Sequence, residues 1–342
     1  MLDLTDLLNK LVTGVDLSHD EMIALMQSIM SGQASDAQIG SALTALRIKG
    51  ETVEEIAAAA EVMRSLSLKV MVDNDQLVDT CGTGGSGISK FNVSTASALV
   101  LAAAGAKVAK HGNRAASGVS GSADVLEAAG LPLDLNPEQV ARSIEQVGVG
   151  FLFAVNHHGA MKHAIGPRRE LRFRTIFNLL GPLTNPAGAK RQVLGVFDRK
   201  WIQPMAEVLI KLGVDRALVV HARDGLDELS VAAMSDVVEV RQGECVAYSI
   251  DPVAFGCGPH SLDDLAVNNA KESLAMIEAA FSGQHVAAEN MIALNAGAAL
   301  FVSERASSME GGVALARDMM RSGQASAKLR ELISFCQSMV TQ

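Results

Sequence analysis

The sequence predicts an α/β protein: a large domain with a mostly parallel central sheet flanked by helices, plus a small all-helical domain. Three observations predict it. Residues 1 to about 70 repeat a helix-start pattern three times, residues from Leu77 alternate short apolar β-type runs with longer amphipathic segments, and the stretch from about Asn268 returns to helices. The chain has 342 residues and 49% hydrophobic content, enough to bury a large core and long enough for two units.

In the first unit, Ser18 with Glu21, Ser35 with Gln38 and Thr52 with Glu55 have capping-box spacing, each followed by apolar residues at helical period. Met22, Leu25, Met26 and Ile29 form one stripe, Ile39, Ala42, Leu43 and Leu46 a second, and Ile56, Ala60 and Met63 a third; Gly32 and Gly50 supply stops. These Met-rich stripes read as core or subunit interface. Candidate strands then follow at Leu77–Thr80, Lys107–Ala109, Gly150–Ala154, Val193–Phe197 and Ala217–His221. Asn136 with Pro137 starts a helix that runs to Val147, and Ser273–Ser282, Ala287–Val302 and Glu310–Arg321 are the clearest late helices. The division expected is a small helical domain over residues 1–72, rejoined by a segment around 167–186, and an α/β domain over 73–342.

Composition excludes several classes. The net charge of −9 argues against a nonspecific nucleic-acid binder, whose footprint is a basic face. The longest apolar stretch, Ala96 to Ala106, is interrupted by Ser97 and Gly105 and falls short of the roughly 20 residues that span a bilayer. Asp3 and Asp6 stand where a signal peptide needs positive charge, so a cytoplasmic protein is expected. Cysteines 81, 245, 257 and 336 show neither metal spacing nor disulfide density and read as buried reduced thiols.

The chemistry gathers around one stretch, Leu77 to Ala96. An apolar run leads into Gly82-Thr83-Gly84-Gly85, and then Asn92-Val93-Ser94-Thr95 opens a long apolar helix. Glycines let backbone approach a ligand, and a helix's first turn leaves N–H groups without partners, so the pattern suits a phosphate. Ser94 or Thr95 is available to cap that helix or to turn its hydroxyl to a metal or phosphate. The loop fits neither the P-loop nor the dinucleotide fingerprint. A second corner, Lys110-His111-Gly112-Asn113-Arg114, falls at the C-terminal end of the next strand and continues into Ser117 to Asp124, so a ligand with two phosphorylated ends is expected.

Asp227-Glu228 follows a further strand; beside two phosphate loops such a pair suits magnesium, and alone it reads as an acidic turn. Arg168, after Pro167, is placed to clamp a carboxylate or to form a surface ion pair. His157, His158 and His163 lack acidic or Cys partners at metal spacing. Asn178 to Asn185 reads as a shaped connector.

Taken together these motifs resemble the anthranilate phosphoribosyltransferase family, nearly end to end and in order, including Gly121-Ser122-Ala123-Asp124 and Arg174-Thr175-Ile176-Phe177-Asn178. The resemblance implies transfer of phosphoribose from phosphoribosyl pyrophosphate (PRPP) to the amine of anthranilate, a hinge, and a homodimer formed through the helical domain. It implies that Gly82, Gly85, Ser86, Lys90, Asn92, Val93, Ser94, Thr95, Lys110, His111, Gly112, Asn113, Arg114, Ala115, Ala116, Ser117, Gly118 and Ser122 hold PRPP. Gly82, Asn113 and Arg168 are implied to contact anthranilate, with Ser94, Asp227 and Glu228 as Mg2+ ligands and no general base. Ser86 stands where the family has Asp and Lys90 where a small hydroxyl residue is usual, so the loop loses one carboxylate and gains one ammonium. Lys90 is therefore expected to take over part of the metal's neutralising role at the pyrophosphate. Val155 and Gly159 replace common prolines, and Arg172 a common glycine. The rival readings are a pyrimidine nucleoside phosphorylase on the same fold and a non-catalytic nucleic-acid-binding paralogue; Asp227-Glu228 and Asn113-Arg114 favour pyrophosphate over free phosphate.

Overall fold

The computed structural model describes residues 3–73, 75–85, 87–115 and 119–340. Helices α1 (Leu4–Val12), α2 (His19–Met30), α3 (Asp36–Lys49) and α4 (Val53–Leu66) form the N-terminal bundle. The three expected capping boxes are present in both directions, at Ser18/Glu21, Ser35/Gln38 and Thr52/Glu55. All three apolar stripes are buried, so their methionines fill core.

The chain then alternates: β1 (Leu77–Gly82), α5 (Val93–Ala103), β2 (Lys107–Gly112), α6 (Ser122–Ala128), α7 (Pro137–Val147) and β3 (Val149–Phe153). Short helices α8 (Ala154–His157), α9 (Lys162–Leu171) and α10 (Phe177–Leu180) lead to β4 (Arg191–Gly195), α11 (Ile202–Lys211) and β5 (Arg216–Ala222). The sheet closes with β6 (Ser235–Arg241) and β7 (Glu244–Ile250), and the chain ends in α12 (Ala270–Phe281), α13 (Val286–Val302), α14 (Met309–Arg321) and α15 (Gln324–Val340). Among the described residues no single helix is long and apolar enough to cross a membrane.

The strand order is β3-β2-β1-β4-β5-β6-β7, parallel from β3 through β5 and antiparallel over the last two pairings. The β6–β7 hairpin and α15 lie outside the elements expected from sequence. Most of β7 is exposed, so its residues carry little apolar alternation to read. Cys245 sits on β7 and is half-exposed, which corrects the expectation of four buried thiols; Cys81, Cys257 and Cys336 are buried, and all four are free.

The inner strands are covered on both faces. Val193, Leu218, Val220 and Val237 join the core shared with α5, α7 and α12–α15. Their neighbours Leu194, Val219 and Val238 join the core shared with α11 and the N-terminal bundle. This period of two is what a central strand between helical layers requires. The second core also takes in Ala164, Ile176, Phe177, Leu179, Leu180 and Leu183, so the middle segment packs with the bundle. Arg64 of α4 reinforces that joint by donating to the carbonyls of Leu183 and Leu212.

From β1 the chain moves outward through β2 to β3, then returns to the other side of β1 for β4 and β5. The loops after β1 and β4 therefore diverge, opening a crevice at the carboxyl ends of the strands, where sheets of this kind bind ligands.

Candidate active site

The loop after β1 turns on Gly84 and Gly85, at φ of 67° and 78°, a region that favours glycine. Thr83 anchors it to β4, donating its N–H to Gly195 and accepting at Oγ1 from the Phe197 N–H. Arg174 stacks on the Phe197 ring at 4.1 Å and donates to the Gly85 carbonyl. Arg174 thus ties the 167–186 segment to the glycine loop, a role the sequence motif named without explaining. Ser86 lies outside the described residues.

At the loop's far end Asn92, and neither Ser94 nor Thr95, is the N-cap of α5, and it makes no side-chain cap. Its amide is spent elsewhere: Oδ1 accepts from Ser120 and Ser273, and Nδ2 donates to the Ser120 carbonyl. Ser94 and Thr95 are consequently left in the first turn with Val93, where N–H groups lack intrahelical partners. Thr95 is 2% exposed, yet its Oγ1 has no hydrogen-bond partner.

The Lys110–Arg114 corner offers a different surface from the one its charges suggest. Lys110 is buried and donates to the His111 carbonyl, while Arg114 forks onto Glu127 and reaches Asp124 at 3.0 Å. Asp124 also accepts from the N–H groups of Ala115 and Gly121, stapling the loop to the start of α6. Gly121 packs so tightly that a Cβ there would lie 2.4 Å from the Asn113 carbonyl oxygen. This leaves exposed Asn113 and half-buried Gly112 and Ser122 at the crevice; Ala116, Ser117 and Gly118 lie outside the described residues. Beneath them Asp79 accepts from the His111 N–H and from Asn185, fixing both β2 and the connector. Burial raises the Asp79 carboxyl despite the nearby Lys110. The Asn178–Asn185 segment is thus anchored at its end.

His111 and His158 face each other with ring centroids 5.3 Å apart. Burial, then each ring's neighbouring positive groups, lowers both: His111 well below its ordinary value and His158 to about 4. Both rings are neutral near pH 7, and among the described residues no group of three or more His, Cys, Asp or Glu side chains is arranged for a metal ion.

The acidic pair closes the site. Asp227 Oδ2 accepts from the Gly84 N–H at 2.8 Å, joining the turn after β5 directly to the glycine loop. The approach needs two residues without side chains: a Cβ on Gly82 would lie 2.4 Å from Asp227 Oδ2, and one on Gly195 would lie 1.5 Å from the Asp227 carbonyl oxygen. Asn295 of α13 holds the turn by accepting from the Leu229 N–H and donating to the Leu229 carbonyl. It is a functional neighbour that sequence reasoning missed, although an Asn inside an otherwise apolar helix is a signal, since a buried amide needs partners.

Lys90 lies between the two acids, its Nζ 3.3 Å from Asp227 Oδ1 and 2.7 Å from Glu228 Oε2. Its ammonium is thus directed onto the two carboxylates. Burial raises the Asp227 carboxyl, but Lys90 and the Gly84 N–H outweigh it and leave the group below its ordinary value. Glu228 goes the other way, to about 7, because burial and the neighbouring Asp227 outweigh Lys90. Ser94, Asp227 and Glu228 line one small cavity with Gly82 and Gly195.

Arg168 follows Pro167 in α9 and lies over the Phe177 ring at 5.0 Å. It makes no ion pair among the described residues, and burial lowers its guanidinium. Nearby, Val155 is exposed, Gly159 has open space around it, and Arg172 takes a left-handed φ of 53°, a region that favours glycine.

Residues 74–326 match the family model described as glycosyl transferase family, a/b domain, and residues 5–67 match its helical bundle domain. The anthranilate phosphoribosyltransferase of Ectopseudomonas mendocina is 56% identical over 339 residues, covering 97% of each chain. That of Cellvibrio japonicus is 56% identical over 340 residues, covering 98% of this chain and 99% of its own. Among solved structures, the Thermus thermophilus enzyme superposes with a TM-score of 0.91 at 43% identity, covering 97% of this chain and 99% of its own. The Saccharomyces cerevisiae enzyme in complex with PRPP and Mg superposes at 0.89 with 26% identity, covering 98% of each.

Proposed function

The chain belongs to the anthranilate phosphoribosyltransferases of the glycosyl transferase family, and from that premise we propose how its own residues carry the reaction. The enzyme transfers the phosphoribosyl group of PRPP to the amine of anthranilate in tryptophan biosynthesis. The observation that supports the site assignment is the hydrogen bond from Gly84 to Asp227, because it joins the phosphate-type loop to the acidic pair.

PRPP lies in the crevice at the carboxyl ends of the strands, against the loops after β1 and β2. The glycine turn, the first turn of α5 at Val93 to Thr95, Asn92, and the 110–115 corner with Ser122 surround its phosphates. As pyrophosphate leaves, positive charge builds on the ribose and negative charge on the leaving group, as in other oxocarbenium-like displacements. N–H groups already aimed at the leaving group stabilise that charge without reorganising. The aromatic amine is neutral near pH 7 and attacks without a strong base. Arg168, lacking an anionic partner among the described residues, takes the anthranilate carboxylate, with Gly82 and Asn113 beside the ring.

Magnesium fits the residues present. Ser94, Asp227 and Glu228 offer hard oxygen donors around one cavity, and Asp227 Oδ1 and Glu228 Oε2 already converge on one cation, the Lys90 ammonium. Bound there, the ion would supply neutralisation of the departing pyrophosphate.

We also propose that the helical residues 1–72, with the 167–186 segment, pair with a second copy. Exposed Val12 and Ile48, at 72% and 81%, rim an apolar groove lined by Leu11, Gly40, Thr44 and Leu171. A cytoplasmic location is proposed with it, where reducing conditions keep the four free thiols reduced. The test of the catalytic reading is loss of anthranilate fluorescence on mixing with PRPP and magnesium. Unchanged fluorescence with folded protein overturns it.

A further inference from the structure

We infer that Lys90 is a built-in counter-cation that occupies the carboxylate pair until substrate arrives, so that metal enters together with the diphosphate and does not load the free enzyme. The inference rests on the reading of Asp227 and Glu228 as the metal-holding pair. Its geometric basis is the position of one ammonium against both acids, at 3.3 Å and 2.7 Å, with all three side chains largely buried, at 12%, 5% and 16% exposed.

Two adjacent, largely buried carboxylates repel each other and lack water to screen them, so an empty pair of this kind is relieved by a proton or by a cation, and here a cation lies between them. Lys90 supplies one from within the same loop that carries the glycine turn, and the pair's formal charge falls from −2 to −1 while it stays there. A divalent ion approaching the free enzyme must therefore displace an ammonium already held by two carboxylates. With the diphosphate present, the displaced ammonium has somewhere to go, because a Lys side chain is a flexible point charge and a phosphate oxygen is a matching partner. Lys90 then moves from the acids to the leaving group as the metal takes its place. The residue is a positioning residue: its effect on the reaction runs through the acids and the diphosphate.

The test measures binding of Mn2+, as a paramagnetic probe of the Mg2+ site, to the full-length enzyme by electron paramagnetic resonance, with and without inorganic pyrophosphate. In the free enzyme, Lys90→Thr and Lys90→Gln are expected to bind Mn2+ roughly tenfold or more tightly than wild type, whereas with pyrophosphate present the difference shrinks. In EDTA, the same variants bind pyrophosphate more weakly than wild type, and their melting temperature falls and is restored by Mg2+. Equal Mn2+ affinity of wild type and both folded variants overturns the inference and leaves the carboxylate reading standing. Tight Mn2+ binding by Lys90→Thr that survives Glu228→Gln and Asp227→Asn overturns the carboxylate reading itself.

Discussion

At the scale of single residues, the site is governed by which charges have partners. Arg168 has none among the described residues and leans on the Phe177 ring, whereas Arg114 is already spent on Asp124 and Glu127. Arg168→Ala is therefore expected to raise the KM for anthranilate roughly ten- to hundredfold while changing that for PRPP little; equal effects in steady-state kinetics remove Arg168 from this role. His158 makes a second case. Burial, with His157 and Lys69 nearby, lowers its ring to about 4 from 6.5, so below pH 6.5 the unfolded chain takes up a proton that the folded one refuses. That stability is present above pH 6.5 and is lost as the pH falls toward 4. The full contribution is up to about 3 kcal/mol. His158→Gln should flatten the fall of the urea midpoint over that window, and parallel curves for the two proteins count against it. Motifs such as Lys110-His111-Gly112-Asn113-Arg114 were legible as letters, but the direction of each side chain was not: Lys110 turns into the core because β2 is covered on both faces.

At the scale of elements, the phosphate loops are held by their neighbours more than by their own composition. Asp124 at the start of α6 staples the second loop, Asn92 ties α5 to Ser120 and Ser273, and Asn295 of α13 fixes the acidic turn. Gly121→Ala places a Cβ within 2.4 to 2.5 Å of backbone atoms of Asn113, Ala115 and Arg114, which no side-chain rotation relieves. The variant is expected to keep its circular dichroism and to raise the KM for PRPP by about tenfold or more. An unchanged KM means that the loop tolerates the shift and does not touch the substrate. Helices were the most legible elements, because each capping box binds residues three apart and needs nothing distant. The β6–β7 hairpin was not, because β7 is an exposed edge strand with no alternating face to bury.

At the scale of the whole molecule, the same sheet separates two cores and puts the crevice where the strand order reverses between β1 and β4. The helical bundle leaves Val12 and Ile48 in water beside an apolar groove. Ile48→Asp should leave melting temperature and secondary structure near wild type and shift sedimentation from dimer to monomer; a wild-type monomer, or a variant that remains dimeric, rejects that surface. By itself the sequence determined the succession of helices and strands, the buried stripes, and the glycine, basic and acidic motifs, because those properties depend on spacing along one segment. Only the tertiary structure decided that Asp227 meets Gly84 from 143 residues away and that Lys90 turns to the acids. It also decided that Arg174 closes onto the glycine loop. Those contacts depend on the order in which the strands line up and on glycines 82 and 195 leaving room, and nothing local to any of the motifs encodes that arrangement.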